Sequence, residues 1–264
     1  MESLKLFLGL LGAIISVTRL EYFVTPLKVA ANPIITAQKN VTQTKVEIAQ
    51  AADITNLLKQ GDTQFDAGDY SGAVAVYTRV IEQNPSLKNR EVQIQARLRR
   101  ARAYILGTVT GSKGLEDYDR SVGAAIADCS RVIQIEPQNS SGYACRGYAY
   151  LYLTSYQEAF EEYDKAIRLD SSNAKLYYER GSAYNLLGKS QEAIADFGRT
   201  IELNSNFADA YYSRGLARSQ VGDKVGAIAD LQRAVELFKS NYGENSSKNP
   251  QYRNALETLR KLQE

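Results

Sequence analysis

Tyr177–Phe197 reads YYERGSAYNLLGKSQEAIADF, and the reading of this stretch decides the fold. The same phrase stands before it as YACRGYAYLYLTSYQEAFEEY (Tyr143–Tyr163) and after it as YYSRGLARSQVGDKVGAIADL (Tyr211–Leu231). Gly147, Gly181 and Gly215 mark its phase, each 34 residues from the next. A fixed period of that size means a solenoid of helix pairs, because one pair cannot bury its apolar face alone and must stack on its neighbours. The fold class is therefore all-α.

Composition narrows the function before any motif does. Of 264 residues, 44% are apolar, ordinary for a folded chain. Lys and Arg number 32 against 30 Asp and Glu, a formal charge of +2, so no strong field points to nucleic acid. The chain has no His and therefore lacks the commonest general base and metal ligand. Two Cys, Cys129 and Cys145, exclude a Cys-rich zinc site and a disulfide framework. This inventory speaks against an enzyme and against a cofactor or small-molecule substrate.

The N-terminal lead divides in two. Residues 1–21 hold an uncharged run, LFLGLLGAIISV (Leu6–Val17), closed by Arg19 and Glu21. It is short for a spanning helix, which needs about 20 residues, and fits a signal or signal-anchor segment. The candidate cleavage site Ser16–Val17–Thr18 is weak. A helix that packs on the protein or a partner, and a mere tail, are the other readings. Membrane association through Leu6–Val17, or export, is thus the expected localisation, with a cytoplasmic one if the run is a packed helix. Residues 22–53, broken by Pro26 and Pro33 and rich in Thr, Gln, Lys and Ala, read as a polar tether.

The repeated phrase resembles the tetratricopeptide repeat (TPR). That family places a large residue at position 4, a small one at 8, Tyr near 11, Ala at 20, an aromatic near 24, Ala near 27 and Pro at 32. Small residues at 8 and 20 let the two antiparallel helices approach, and large ones fill the space around the contact. The fourth repeat (174–207) supplies Tyr177, Gly181, Tyr184, Ala193 and Phe197 in these slots, and the third (140–173) Tyr143, Gly147, Tyr150, Ala159 and Tyr163. The fifth (208–241) supplies Tyr211, Gly215, Ala227 and Leu231, with Arg218 in place of its Tyr. The first (54–87) supplies Leu57, Gly61, Ala73 and Tyr77. The resemblance implies a right-handed superhelical solenoid of five repeats over 54–241, closed by a capping helix within 242–264.

The second repeat (94–139) is interrupted. Its first helix is expected over about Ile94–Leu106, with Ala101 and Tyr104 in their slots. Its second begins near Gly123, with Ala125 and Cys129. Tyr104 and Ala125 lie 21 residues apart where an unbroken repeat has 9, so twelve are inserted. The insert, Gly107–Gly123, is Gly-rich and charged and reads as a surface loop or partner contact. Its GTVTGSKG lacks the spacing and preceding strand of a phosphate loop. At the C-terminus, Asn249–Pro250 reads as an N-cap with Pro at the first helical position. Tyr252, Ala255, Leu256, Leu259 and Leu262 follow on one helical face.

One pattern comes from the residues alone. Arg stands at position 7 of four repeats (Arg100, Arg146, Arg180, Arg214), and an acid at position 23 of the same four (Asp128, Glu162, Asp196, Asp230). The first repeat loses both together, with Gln60 and Val76. Joint loss predicts that the two pair, from the first helix of a repeat to its second; separate solvation on two faces is the alternative. Cys129 and Cys145 come near the seam between the second and third repeats, where they form a disulfide in an oxidising compartment or else act as small apolar fillers.

In the family, first-helix positions 2, 5, 9 and 12 to 13 line a concave groove. Carried onto this chain they give Tyr148, Leu151, Tyr152, Tyr178, Asn185, Tyr212 and Leu216 on one wall, and Leu98, Arg99, Arg102 and Ile105 on the other. Tyr offers large contact area with a hydrogen-bonding tip, and Arg forks onto carboxylates. Such a groove suits an extended or helical peptide with apolar anchors and an acidic group. Aromatic stripes at helical spacing also serve as core, so each Tyr has that second reading. The family's clamp for C-terminal carboxylates is not reproduced: Leu58 and Asp62 stand for its Lys and Asn, and Ser141 and Cys145 for its Lys and Arg. The expected function is a non-catalytic protein-binding scaffold. A self-associating module and a regulatory partner of an enzyme complex are the alternatives.

Overall fold

The computed structural model describes residues 52–83, 89–115 and 117–264. Among them every regular element is helical. In chain order these are α1 (52–66), α2 (Tyr70–Gln83), α3 (Arg90–Val109), α4 (Tyr118–Ile135), α5 (Ser140–Tyr152) and α6 (Tyr156–Leu169). Then follow α7 (Ala174–Leu186), α8 (Ser190–Leu203), α9 (Ala208–Gln220), α10 (Lys224–Tyr242), a 3-10 turn (Gly243–Lys248) and α11 (Pro250–Gln263). The helices pack as antiparallel pairs, each also touching the next pair, which makes an all-α solenoid. The apolar run Leu6–Val17 and the tether up to residue 51 lie outside the described residues. Among those described, no helix is long and apolar enough to cross a membrane.

Several boundaries have a local cause. Asn139, Asp117, Asp223 and Asn249 cap helices by accepting backbone N–H groups at 3.1, 3.0, 2.9 and 2.9 Å. The tight turn inside a repeat needs a left-handed residue, and Gly68, Gly188 and Gly222 supply it at φ of 79°, 70° and 83°. The third repeat fills the same slot with Thr154 at φ 57°, a strained choice for a β-branched residue.

The core follows the repeat. Ala73, Ala125, Ala159, Ala193 and Ala227 are all fully buried, as are Tyr77, Cys129, Tyr163, Phe197 and Leu231 four residues on. A methyl group added at Gly147 would meet the Ala159 carbonyl oxygen at 3.0 Å; at Gly215 it would meet the Leu231 side chain at 2.9 Å and the Ala227 carbonyl at 3.3 Å. At Gly181 the nearest atoms belong to Phe197 and Asp196, at 3.0 and 3.1 Å, rather than to Ala193. Glycine at these positions therefore sets how closely the paired helices approach.

The structure corrects the reading of the insert. Most of its twelve residues lengthen the two helices: α3 runs on to Val109 and α4 starts at Tyr118, with turns at 110–114 between them. Gly107 sits within α3, where a side chain would strike Leu115 and come within 2.9 Å of Tyr70. Only Gly111 and Gly114 of this segment adopt positive φ. Buried Leu115 folds the turn back onto the hairpin. α3 also begins four residues before the expected Ile94, at Arg90. At the far end α11 buries Ala255 and Leu259 against α10, capping the stack, but Leu256 stays exposed.

Candidate functional site

The position 7 and 23 charges do pair, and they define what the rest of the surface is free to do. Arg100, Arg180 and Arg214 each fork onto Asp128, Asp196 and Asp230 with two bonds of 2.7–2.8 Å. Arg146 reaches Glu162 with one bond of 2.7 Å. The carboxylates are largely buried: Asp128, Asp196 and Asp230 expose 3, 6 and 4% of their surface. The hydrogen bonds to Asp196, first among its causes, lift the Arg180 pKa and keep it fully charged. Asp230 also accepts from Arg218 at 2.7 Å, so the Arg in the fifth repeat's Tyr slot joins the network. Asp128 likewise takes Arg97 at 3.0 Å.

A second arm was not foreseen. The same Arg reaches back to position 25 of the preceding repeat: Arg100 to Thr78 at 2.9 Å, Arg146 to Ser130 at 3.4 Å and Arg180 to Asp164 at 2.6 Å. Each of these guanidinium groups thus ties three helices. At the last seam the position is Gly198, which offers Arg214 no side chain. Helical geometry turns position 7 away from positions 2, 5 and 9, so this spine runs behind the groove.

The groove itself is a cavity of about 730 Å³ formed by α3, α5, α7 and the start of α9. Of the residues expected there, Arg99, Arg102, Tyr148, Tyr152 and Tyr178 line it, as do Leu98, Ile105 and Leu151. Asn185, Tyr212 and Leu216 do not. Tyr212 packs with Tyr252 of α11 against the α10 core, and Leu216 joins the same cluster, because the capping helix covers the groove side of the fifth repeat. Tyr148 and Tyr152 meet edge to face at 5.1 Å and share a hydrogen bond of 3.0 Å. Burial, then that bond, pushes the Tyr148 phenol well above its usual pKa, so it stays a neutral donor. Burial raises Tyr178 too. Each Tyr is thus half core and half surface: packed at its base, polar at its tip.

The groove carries opposite charges on facing walls. On the α3 wall, Arg99 holds Asp62 at 2.7 Å, a bond with both partners well exposed. Arg102 sits over the Phe65 ring at 5.2 Å, with no carboxylate at ion-pair distance among the described residues. On the opposite wall are two acids that sequence reading did not single out, Glu179 and Asp209. Burial lifts both carboxyls above their usual range. Their only sequence signal was their place: Asp209 at position 2, within the groove stripe itself, and Glu179 at position 6 beside it. Cys129 and Cys145 form a disulfide with Cα atoms 5.7 Å apart, joining α4 to α5, and Cys145 borders the groove. Of the two cysteine readings, bonded or filler, the bonded one therefore holds.

With this geometry in place, comparisons with known proteins are informative about the fold. Models described as TPR repeat match residues 147–188 and 181–222, and models described as tetratricopeptide repeat match 55–86 and 208–241. No curated protein matches. Among solved structures the chain is similar to TTC0263, a thermophilic TPR protein of Thermus thermophilus: 20% identity over 77% of this chain and 99% of that one, with a TM-score of 0.60. It is also similar to MamA (25% identity, 69% and 95% covered, TM-score 0.48). A third is the first TPR of Spaghetti (RPAP3) bound to an HSP90 peptide (30% identity, 48% and 91% covered, TM-score 0.41).

Proposed function

We propose that this array of tetratricopeptide repeats is a non-catalytic scaffold that holds a peptide segment of a partner protein in its concave groove. One observation carries the reading: the 730 Å³ cavity is walled by Tyr148, Tyr152 and Tyr178, with Arg99 and Arg102 on its α3 wall. Tyrosines packed at the base and polar at the tip give a ligand rigid area at low entropic cost. Arg99 is held only by an exposed partner, so a ligand carboxylate competes with Asp62 on equal terms. The spine behind the groove fixes the spacing of its walls before a ligand arrives, which limits the ordering cost of binding.

The chain acts at a membrane or beyond one. The uncharged run Leu6–Val17 supports this, and so does the Cys129–Cys145 disulfide, since such bonds persist in oxidising compartments. Sequencing the mature N-terminus from a membrane-bearing host tests it: loss of the first residues, or retention in the membrane fraction, supports the reading, and an intact soluble chain opposes it.

The groove is tested by selecting a phage-displayed library of random peptides on the folded protein. Ser182 lies in the groove. Ser182→Trp plugs the cavity without touching the spine and is expected to abolish capture at an unchanged melting temperature. Capture that survives the plug refutes the groove as the site. A concentration-dependent mass in light scattering, with no peptide captured, would favour self-association instead.

A further inference from the structure

We propose that the wall formed by Glu179 and Asp209 is a subsite for a cationic side chain, Lys or Arg, of the bound peptide. The peptide then lies in a fixed direction, with its carboxylate toward Arg99 and Arg102 and its cation between α7 and α9. The inference rests on the groove reading above and adds polarity to it.

Neither acid has the two-bond Arg partner that buried carboxylates elsewhere in the molecule have. Asp209 lines the cavity, is partly buried, and has no Lys or Arg at ion-pair distance among the described residues; burial is the main influence on its carboxyl. Glu179 has Lys175 at 3.5 Å, but that Lys side chain is 67% exposed and loosely held, and Arg102 on the facing wall acts on the carboxyl only through its field, with no ion-pair contact. Elsewhere in the molecule, buried carboxylates such as Asp196 take two bonds from one Arg. The start of α9 tolerates an acid because the helix N-terminus is electropositive. That accounts for Asp209 alone. It leaves unexplained a second acid, one helix away, on the same wall of the same cavity.

Between the acids lie surfaces suited to the rest of a Lys or Arg side chain. Tyr178 and Phe207 both line the cavity, with ring centroids 5.0 Å apart and planes tilted by 31°. Aromatic faces hold an aliphatic stem and attract a cation. The opposite pole restricts the ligand further. A wholly acidic peptide meets repulsion from Asp209 and Glu179, and a wholly basic one from Arg99 and Arg102. The ligand that satisfies both ends carries one sign at each.

The experiment extends the library selection. Peptides recovered on the wild-type protein are expected to carry a Lys or Arg on one side of an apolar anchor and an Asp or Glu on the other. The double variant Glu179→Gln, Asp209→Asn should melt like wild type yet bind a recovered synthetic peptide more weakly by about thirtyfold or more, the loss expected when one side of a desolvated charge pair is removed. Replacing that peptide's Lys by norleucine should weaken binding to the wild type by a similar factor and leave binding to the variant unchanged. Recovered peptides with no cation preference, or a variant that binds undiminished, overturn the subsite while the groove stands. If the wild type captures no peptide, the groove reading falls and takes the subsite with it.

Discussion

Arg180 and Arg102 belong to the same solenoid and face opposite ways. Behind the groove, Arg180 holds Asp196 with two bonds and Asp164 with a third, all within 2.8 Å. Inside the groove, Arg102 touches an aromatic ring, and Asp209 across from it has no cation at ion-pair distance among the described residues. Identical chemistry thus serves two ends. Charges closed on each other within the protein fix the register and spacing of the helices. Charges left open on a desolvated wall retain an unmet demand that a ligand can satisfy.

Breaking the closed set should have the largest effect. Arg180→Ala strands the buried Asp196, 8% exposed at its side chain, and is expected to cost about 4 kcal/mol, roughly 10 °C in Tm by calorimetry. A loss below about 1 kcal/mol would mean that the pair is a solvated ornament. The next contrast separates packing from charge. Gly147→Ala pushes a methyl to 3.0 Å from the Ala159 carbonyl and should destabilise by about 2 kcal/mol in urea unfolding. Gly123→Ala, in α4 with nothing within 4 Å, should instead stabilise by about 0.5–1 kcal/mol through helix propensity. The second arm is the smallest term. Asp164 is 46% exposed, so Asp164→Asn should cost under about 1 kcal/mol by the same unfolding measurement.

The same contrast explains what could be read from the chain alone. The period gave away the helix pairs and their contact residues because close packing allows few side chains at Gly147 or Ala159. The Arg–acid pair was readable because the first repeat lost both members, Gln60 and Val76 standing in their places. The back arm was not, because its acceptors, the hydroxyls of Thr78 and Ser130 and the carboxylate of Asp164, share a location but neither residue type nor charge. The insert misled through its glycines: Gly107 answers a close contact with Leu115, whereas a loop reading takes it for freedom. Tyr212 was placed in the groove by repeat position, which cannot register that the array ends and that α11 covers the last unit. At Asn185 the same rule missed by one residue, since its neighbour Leu186 lines the cavity. Glu179 and Asp209 escaped notice because acids on a helix usually face water. Only the assembled wall shows that these two face a cavity.

The division between closed and open charge is tested most directly by melting Asp196→Asn and Asp209→Asn side by side, under one set of conditions without ligand. Both changes remove one negative charge from a partly or wholly buried site on neighbouring repeats. The account predicts that Asp196→Asn falls by roughly 6–10 °C while Asp209→Asn stays within about 2 °C of wild type. Equal falls would contradict it.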